Sequence, residues 1–268
     1  MLRRAFLLRL AFLLAAFTPV ARVAVADDPA RLRVLTYNIH HGEGLDGKLD
    51  LERIARVIES VAPDVVALQE VDRNTSRSGG VDQPKELGRL TGLESLFEGN
   101  IKLDGGEYGN AVLTRLPVKR HRNHPLPRFD DGEQRGLLEV EILWPSETDT
   151  LRFLATHLDH RKPDGERLAS ARVIETLLHA RPDGPTVLAG DLNAQPDSSV
   201  LEHFRTTWTS AAAGEGPFTF PADAPTRLID YVLYNPADRW KVIEHRVLDE
   251  PAASDHRPVL VVLELAGE

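Results

Sequence analysis

The chain contains no cysteine. This excludes disulfide bridges, thiolate nucleophiles, cysteine-ligated zinc and a lipid-modified N-terminal cysteine. Any metal chemistry is left to oxygen and imidazole ligands. Positive charge is also in short supply: 32 Lys and Arg face 41 Asp and Glu over 268 residues, for a formal charge of −9. Four arginines (Arg3, Arg4, Arg9 and Arg22) fall in the first 26 residues, which hold no acid, so the remaining 242 residues carry 28 basic and 41 acidic side chains, near −13. That balance argues against a groove that grips nucleic acid by charge alone, unless a cation intervenes. No stretch beyond residue 26 approaches the roughly 18 continuous apolar residues of a spanning helix. Repeats, low-complexity tracts and Pro/Ser-rich linkers are likewise missing.

Residues Met1–Ala26 read as an export signal. A basic segment (Arg3, Arg4, Arg9) precedes the apolar stretch Leu10–Pro19, and Ala24-Val25-Ala26 stands before Asp27-Asp28. The small-x-small triplet is the pattern a signal peptidase reads. An uncleaved membrane anchor is the alternative, disfavoured by the short apolar stretch and by Arg22. A secreted or periplasmic chain is expected. With 42% hydrophobic and 27% charged residues, the body reads as globular, and residues 27–268 suffice for one large domain.

Short apolar runs recur at Leu32–Tyr37, Val65–Gln69, Ala111–Thr114, Leu137–Leu143, Leu151–Thr156, Thr186–Ala189, Ile229–Tyr234 and Val259–Leu265. Their length and their Val, Leu and Ile content predict buried strands. Helical spacing appears over Leu49–Val61 and Glu166–Ala180, with shorter helices expected at Lys85–Leu90 and Val200–Phe204. Strands outnumber helices and several follow one another directly. Two packed sheets with helices outside meet that pattern better than a fully alternating α/β wind. Polar stretches at Arg73–Pro84, His121–Arg135 and Thr206–Arg227 read as long loops over the strand ends.

Polar residues gather where the apolar runs stop. Asn38, Glu70, His157, Asp191, Asn193 and Asp230 each border a run, Asn110 precedes one, and Asp255 and His256 stand just before the last. A lone Asn or Asp in such a place is most often a turn residue or a helix cap. Repetition at seven termini is what that explanation leaves over. Carboxylates brought together there repel and cannot all stay ionised without a cation. Oxygen ligands suit a hard ion such as Mg²⁺, Mn²⁺ or Ca²⁺, and histidines beside it suit proton transfer or charge stabilisation on a phosphate.

The ordered blocks Thr36-Tyr37-Asn38, Leu68-Gln69-Glu70-Val71, Tyr108-Gly109-Asn110-Ala111, Thr156-His157-Leu158, Gly190-Asp191-Leu192-Asn193, Arg227-Leu228-Ile229-Asp230-Tyr231 and Ser254-Asp255-His256-Arg257-Pro258 resemble the endonuclease/exonuclease/phosphatase superfamily. The resemblance spans nearly the whole body. It implies a four-layered α/β/β/α sandwich, two mixed sheets face to face with helices outside, and phosphoester hydrolysis with Mg²⁺ or Mn²⁺. Carried over by position, Glu70 is the principal metal ligand with Asn38 beside it, and Asp255 completes the cation environment or holds a second ion. Asp191 accepts a proton from the attacking water, and Asn193 orients that water or a phosphate oxygen. His256, held by Asp230, contacts the scissile phosphate, and His157 donates the leaving group's proton or binds phosphate. The resemblance also suggests a monomer.

The substrate is less legible. Nucleic acid, a phospholipid head group and a small phosphoester all fit, with a nuclease placed first. Asn110 belongs to the candidate substrate contacts. Of the loop arginines Arg73, Arg77, Arg122, Arg128 and Arg135, the last is the best candidate for a substrate phosphate, followed by Arg161. His40 and His41 fit a rim or a solvated turn equally. A non-catalytic module on the same fold predicts gaps in the set, and none is seen. A hydrolase of non-phosphate esters is the remaining alternative.

Overall fold

The computed structural model describes residues 30–266 except 147, 181–183, 213 and 215. The leader predicted over Met1–Ala26 lies outside the described residues. In chain order the elements are β1 Arg31–Asn38, α1 Leu51–Glu59, β2 Val65–Arg73, α2 Gln83–Thr91, β3 Glu94–Leu103, β4 Gly106–Thr114, β5 Val118–Pro125, β6 Gly136–Leu143, β7 Thr150–His157, α3 Gly165–His179, β8 Thr186–Asp191, α4 Ser199–Phe204, β9 Thr209–Ser210, β10 Asp230–Asn235, β11 Trp240–Val247 and β12 Val259–Leu265. They form two six-stranded sheets, ordered β11-β12-β1-β2-β4-β3 and β5-β6-β7-β8-β10-β9.

Each sheet has one parallel pair near its centre, β1 with β2 and β7 with β8, and antiparallel neighbours around it. α1 and α3 are the crossovers those parallel pairs require. Alternation along each strand builds the layers. Leu32, Val34, Val65, Ala67, Phe153, Ala155, Val187 and Val261 fill the space between the sheets. Leu35, Tyr37, Val66 and Leu68 point the other way, into a cluster with Ile54 and Ile58 of α1 and Leu87 of α2. Leu154 and Leu188 do the same against Ala171 and Ile174 of α3 and Phe204 of α4. With both faces covered, the central strands read as continuous apolar runs. The helices are cut locally: Asp50 and Asp82 accept from the Arg53 and Lys85 backbone amides at the starts of α1 and α2, and Gly92 ends α2 at φ 69°. Among the described residues no helix is long and apolar enough to cross a membrane.

Sequence patterning missed four strands, β3, β5, β9 and β11, and these are the four sheet edges. The reason is physical. An edge strand is solvated on one side and carries charge that discourages further pairing. Val118–Pro125 reads Val-Lys-Arg-His-Arg-Asn-His-Pro and is mostly exposed, so the loop expected over His121–Arg135 begins only after Pro125.

Candidate active site

The carboxyl ends of parallel strands collect polar groups because the chain must turn there, and ligands bind outside such ends. In this fold two parallel pairs present those ends on opposite sides of the inter-sheet core. β1 ends on Asn38, β7 on His157 and β8 on Asp191. Asp230 opens β10 directly opposite Asp191, and His256 stands shortly before β12, whose Val259 pairs with Thr36. Glu70 is placed by a defect in the ladder. Leu68 pairs with Ala111 and Val71 with Gly109, so Gln69 and Glu70 together face Asn110, and Glu70 takes φ 58°. Such a bulge re-aims a side chain that regular pleating would fix. Gly190 serves the neighbouring pair: a Cβ there would collide with the Thr156 carbonyl of β7.

Asn38 joins the two sheets. Its Oδ1 accepts from the His40 backbone amide (3.1 Å), which turns Nδ2 toward Glu70 Oε1 (2.9 Å) and Asp191 Oδ2 (3.3 Å). His256 Nε2 lies 3.5 Å from the same Nδ2 and 3.7 Å from Asp191 Oδ2. On the far side of that ring, Nδ1 donates to Asp230 Oδ2 at 2.9 Å. Burial alone would depress the His256 pKa, but Asp230, Asp191 and Asp255 outweigh it and push it up to about 10, so the ring is a buried cation. Asp191 moves the other way from an ordinary carboxylate: burial, then the charge of Asp230, raise it to about 7. One Asp191 oxygen accepts the Asn193 backbone amide (2.8 Å) in a turn where Asn193 takes φ 48°. Ser254 Oγ donates to the Asn38 carbonyl (2.7 Å) and ties the loop bearing His256 to the end of β1.

The second histidine has the opposite electrostatic character. His157 is buried, and its pKa is held well below the usual value by that burial and then by Arg135 and His256. Arg135, 3% exposed, donates to His157 Nδ1 at 3.0 Å. His157 Nε2 faces the Asn193 side-chain amide nitrogen (3.0 Å), which also donates to the Leu158 carbonyl (3.0 Å), and lies 3.5 Å from Asp191 Oδ2, so donors stand at both ring nitrogens. His157 is thus a neutral ring beside the cluster and His256 a charged donor toward it.

The donor set fits a divalent cation. Glu70 and Asp191 both accept from the single Asn38 amide, Asp191 is reluctant to ionise, and Asp230 Oδ1 is buried without a hydrogen-bond partner. Asn38 itself ligates only by turning Oδ1 inward, which gives up the bond from His40. Among the described residues, ligand atoms approach within 4.8 Å in two groups, Asp191–Asp230–His256 and His40–His41–Glu70. Asp255 belongs to neither; it is half-buried, with Oδ1 3.4 Å from Ser254 Oγ.

The structure thus brings together Asn38, Glu70, His157, Asp191, Asn193, Asp230 and His256, with Arg135 behind His157. Asn110 is buried opposite the bulge and donates to the Gly136 carbonyl (3.1 Å), pinning β4 to β6. Arg161 stands apart from the cluster, with Nε 3.0 Å from Asp159 and a terminal nitrogen 2.7 Å from Glu166. Three neighbours escaped sequence reasoning. Phe220 packs its ring 4.7 Å from that of His256, Thr219 Oγ1 accepts the Asp230 amide (3.4 Å), and Glu133 pairs with Arg135 (2.9 Å). All three lie in irregular loops, where neither periodicity nor strand ends give a signal.

Two mixed sheets packed face to face, with carboxylates, amides and imidazoles gathered where their parallel strands end, define a two-sheet sandwich with its polar cluster at the strand ends. The chain belongs to the Endonuclease/Exonuclease/phosphatase family, whose family model matches residues 35–256. Members of that family are generally hydrolytic phosphoesterases and typically need a divalent metal. An endonuclease/exonuclease/phosphatase of known structure from Beutenbergia cavernae is 29% identical, with TM-score 0.73 over 88% of this chain and 72% of that one. The mannosyl-6-phosphatase Bt3783 of Bacteroides thetaiotaomicron shares the fold at 20% identity and TM-score 0.70, over 88% of this chain and all (100%) of that one. The uncharacterised protein YbhP of Escherichia coli K12 is 25% identical over 247 residues, 87% of this chain and 96% of that protein.

Proposed function

We propose that this chain is an exported, divalent-cation-dependent hydrolase that cleaves a compact phosphoester by in-line attack of water. The observation that carries this reading is the buried triplet Asp230–His256–Asp191, joined through Asn38 to Glu70. Asp230 holds His256 as a cation whose Nε2–H is aimed at the cluster, the charged donor a phosphoryl oxygen requires as negative charge builds on it. Asp191, pushed up to about 7, can receive a proton from water near neutral pH. Neutral His157 and the Asn193 side-chain amide, 3.0 Å apart, stand where the departing or non-bridging oxygen is bound. A cation held by Glu70 and Asn38, with Asp191 beside them, supplies Lewis-acid charge when bound.

The state of the rim arginines bears on the substrate. Four of the six candidate arginines are engaged: Arg77 spans both oxygens of Asp72 at 2.8 Å, Arg73 pairs with Glu107, and Arg135 and Arg161 pair with Glu133 and Glu166, while Arg122 and Arg128 are exposed. A long polyanion needs a series of cations free to meet successive phosphates. A small or lipid-borne phosphoester needs only the cluster itself, and we place it ahead of nucleic acid. Export is part of the proposal: the mature chain then begins at Asp27.

A screen with Mg²⁺ or Mn²⁺ against a model monoester, a model diester, sphingomyelin and plasmid DNA tests the reading. Turnover of one of the first three, abolished by chelator and by Asp191→Asn or His256→Ala in folded protein, is expected. Cleavage of DNA alone would restore the nuclease. Wild-type turnover in a folded Asp191→Asn variant, or carboxylic ester cleavage without any phosphoester cleavage, overturns the mechanism.

A further inference from the structure

The segment that follows Asn38 has no part in the chemistry assigned to the cluster, yet its backbone is tightly constrained. His40 and His41 both take φ 45° and Gly42 follows at φ 80°, a run of left-handed residues that costs a chain of L-amino acids energy at each non-glycine position. The run is clamped from outside. Gln83 of α2, itself buried, donates to the His41 carbonyl at 2.6 Å, while its Oε1 accepts the Asp72 backbone amide at 2.9 Å. The effect is to bring one ring nitrogen of each histidine and a carboxylate oxygen of Glu70 within 4.8 Å of one another.

The two rings are also prepared as ligands. His40 Nδ1 lies 3.2 Å from the Glu43 carbonyl, which can only accept, so Nδ1 carries the proton and Nε2 keeps its lone pair. A ligating histidine is commonly fixed in this way, by donating its other nitrogen to a backbone carbonyl. His41 Nδ1 is buried and has no hydrogen-bond partner, an orphan that a solvated turn does not explain. Arg77, whose charge acts on His41, is occupied by both oxygens of Asp72. Of Glu70, Oε1 accepts from Asn38, and a carboxylate has a second oxygen to offer.

We propose that His40, His41 and Glu70 form a second cation site of mixed imidazole and carboxylate character, which takes a borderline divalent ion such as Zn²⁺. It shares Glu70 with the proposed oxygen ligands Asn38 and Asp191 but not their preference. Hard Mg²⁺ favours oxygen and binds imidazole poorly, whereas two imidazoles beside one carboxylate are a common ligand set for the softer ions. The chain then holds two unlike cations through a single bridging carboxylate.

The test is titration of the metal-stripped full chain with Zn²⁺ under saturating Mg²⁺, followed by calorimetry. The wild type is expected to take up one Zn²⁺ that folded His40→Asn/His41→Asn binds at least about 100-fold more weakly, since loss even of groups that merely orient a ligand costs 10–100-fold. Adventitious zinc elsewhere, such as at the His203–Glu175 pair, is unchanged between the two proteins. Should the double variant fail to fold, pulsed electron paramagnetic resonance of Cu²⁺, an imidazole-seeking stand-in for Zn²⁺, on the wild type replaces it, with couplings to two imidazole nitrogens expected that disappear singly in His40→Asn and His41→Asn. Equal Zn²⁺ affinity and stoichiometry in variant and wild type, or Cu²⁺ couplings that persist in both single variants, overturn the proposal. None of these readouts involves turnover, so the site stands or falls independently of the phosphoesterase reading.

Discussion

Substituting Asp230 by Asn tests the electrostatic core of the site with the loss of one charge and almost no change in shape. In the folded chain His256 is pushed up to about 10 from an ordinary 6.5, despite burial that by itself would lower it. That lift corresponds to roughly 5 kcal/mol of preference for the charged ring, with Asp230 its largest source. With a neutral amide in place of the carboxylate, burial prevails and His256 is expected to be neutral at pH 7. The charged donor toward the phosphoryl oxygen is lost, and kcat is expected to fall by about 10²–10⁴. Stability should respond with a definite sign. A raised imidazole pKa stabilises the fold fully below 6.5 and loses that contribution as pH climbs through about 10. The wild type should therefore lose stability across that window, and Asp230→Asn should not. Imidazole NMR titration, urea melts between pH 6 and 11 and turnover of a model phosphoester make up the assay. A His256 that still titrates near 10 in the variant, or turnover within about threefold of wild type once the ring is shown to be neutral, refutes the reasoning.

Three further outcomes follow from the geometry. Asp191 retains its proton up to about 7 in the folded chain but sheds it near 3.8 when unfolded, so between those values the metal-free fold should become less stable as pH rises. Thermal melts should show Mg²⁺ restoring that loss and Asp191→Asn abolishing it; an unchanged pH dependence in the variant contradicts the assignment. Gly190→Ala forces a Cβ into the Thr156 carbonyl where β7 and β8 run side by side, and should cost about 2 kcal/mol or more while moving Asp191 enough to depress kcat. A variant with wild-type melting and turnover would show that the strands can separate freely there. Phe153, fully buried between the sheets, should cost about 3–5 kcal/mol when replaced by Ala, with activity retained below the new melting transition; a loss under about 1 kcal/mol would mean the inter-sheet layer is poorly packed.

The amino-acid sequence by itself determined the central strands, the helices and the types of group at the strand ends. Continuous apolar runs such as Val65–Leu68 and Phe153–Ala155 leave no other place for these segments than between two covered faces. Asn38, His157, Asp191 and Asp230 were visible because an apolar run that stops on a buried polar residue needs a reason. The edge strands β3, β5, β9 and β11 were not visible, since solvent on one side removes the apolar pattern that marks a strand. Nor was the allocation of partners. Asn110 and Arg161 look much like Asn38 and Arg135 along the chain, but Asn110 pins one sheet to the other and Arg161 answers Asp159 and Glu166.

Tertiary structure alone decided the protonation of the two histidines. His157 and His256 both adjoin buried apolar strands, yet one faces a guanidinium and the other a carboxylate. At about 3 Å inside a low-dielectric interior, the sign of the nearest charge outweighs every local preference of the residue, and that sign comes from segments distant in sequence. The bulge that turns Glu70 inward and the clamp of Gln83 on His41 are of the same kind. Sequence supplied the chemical groups, and long-range packing set their charge and aim.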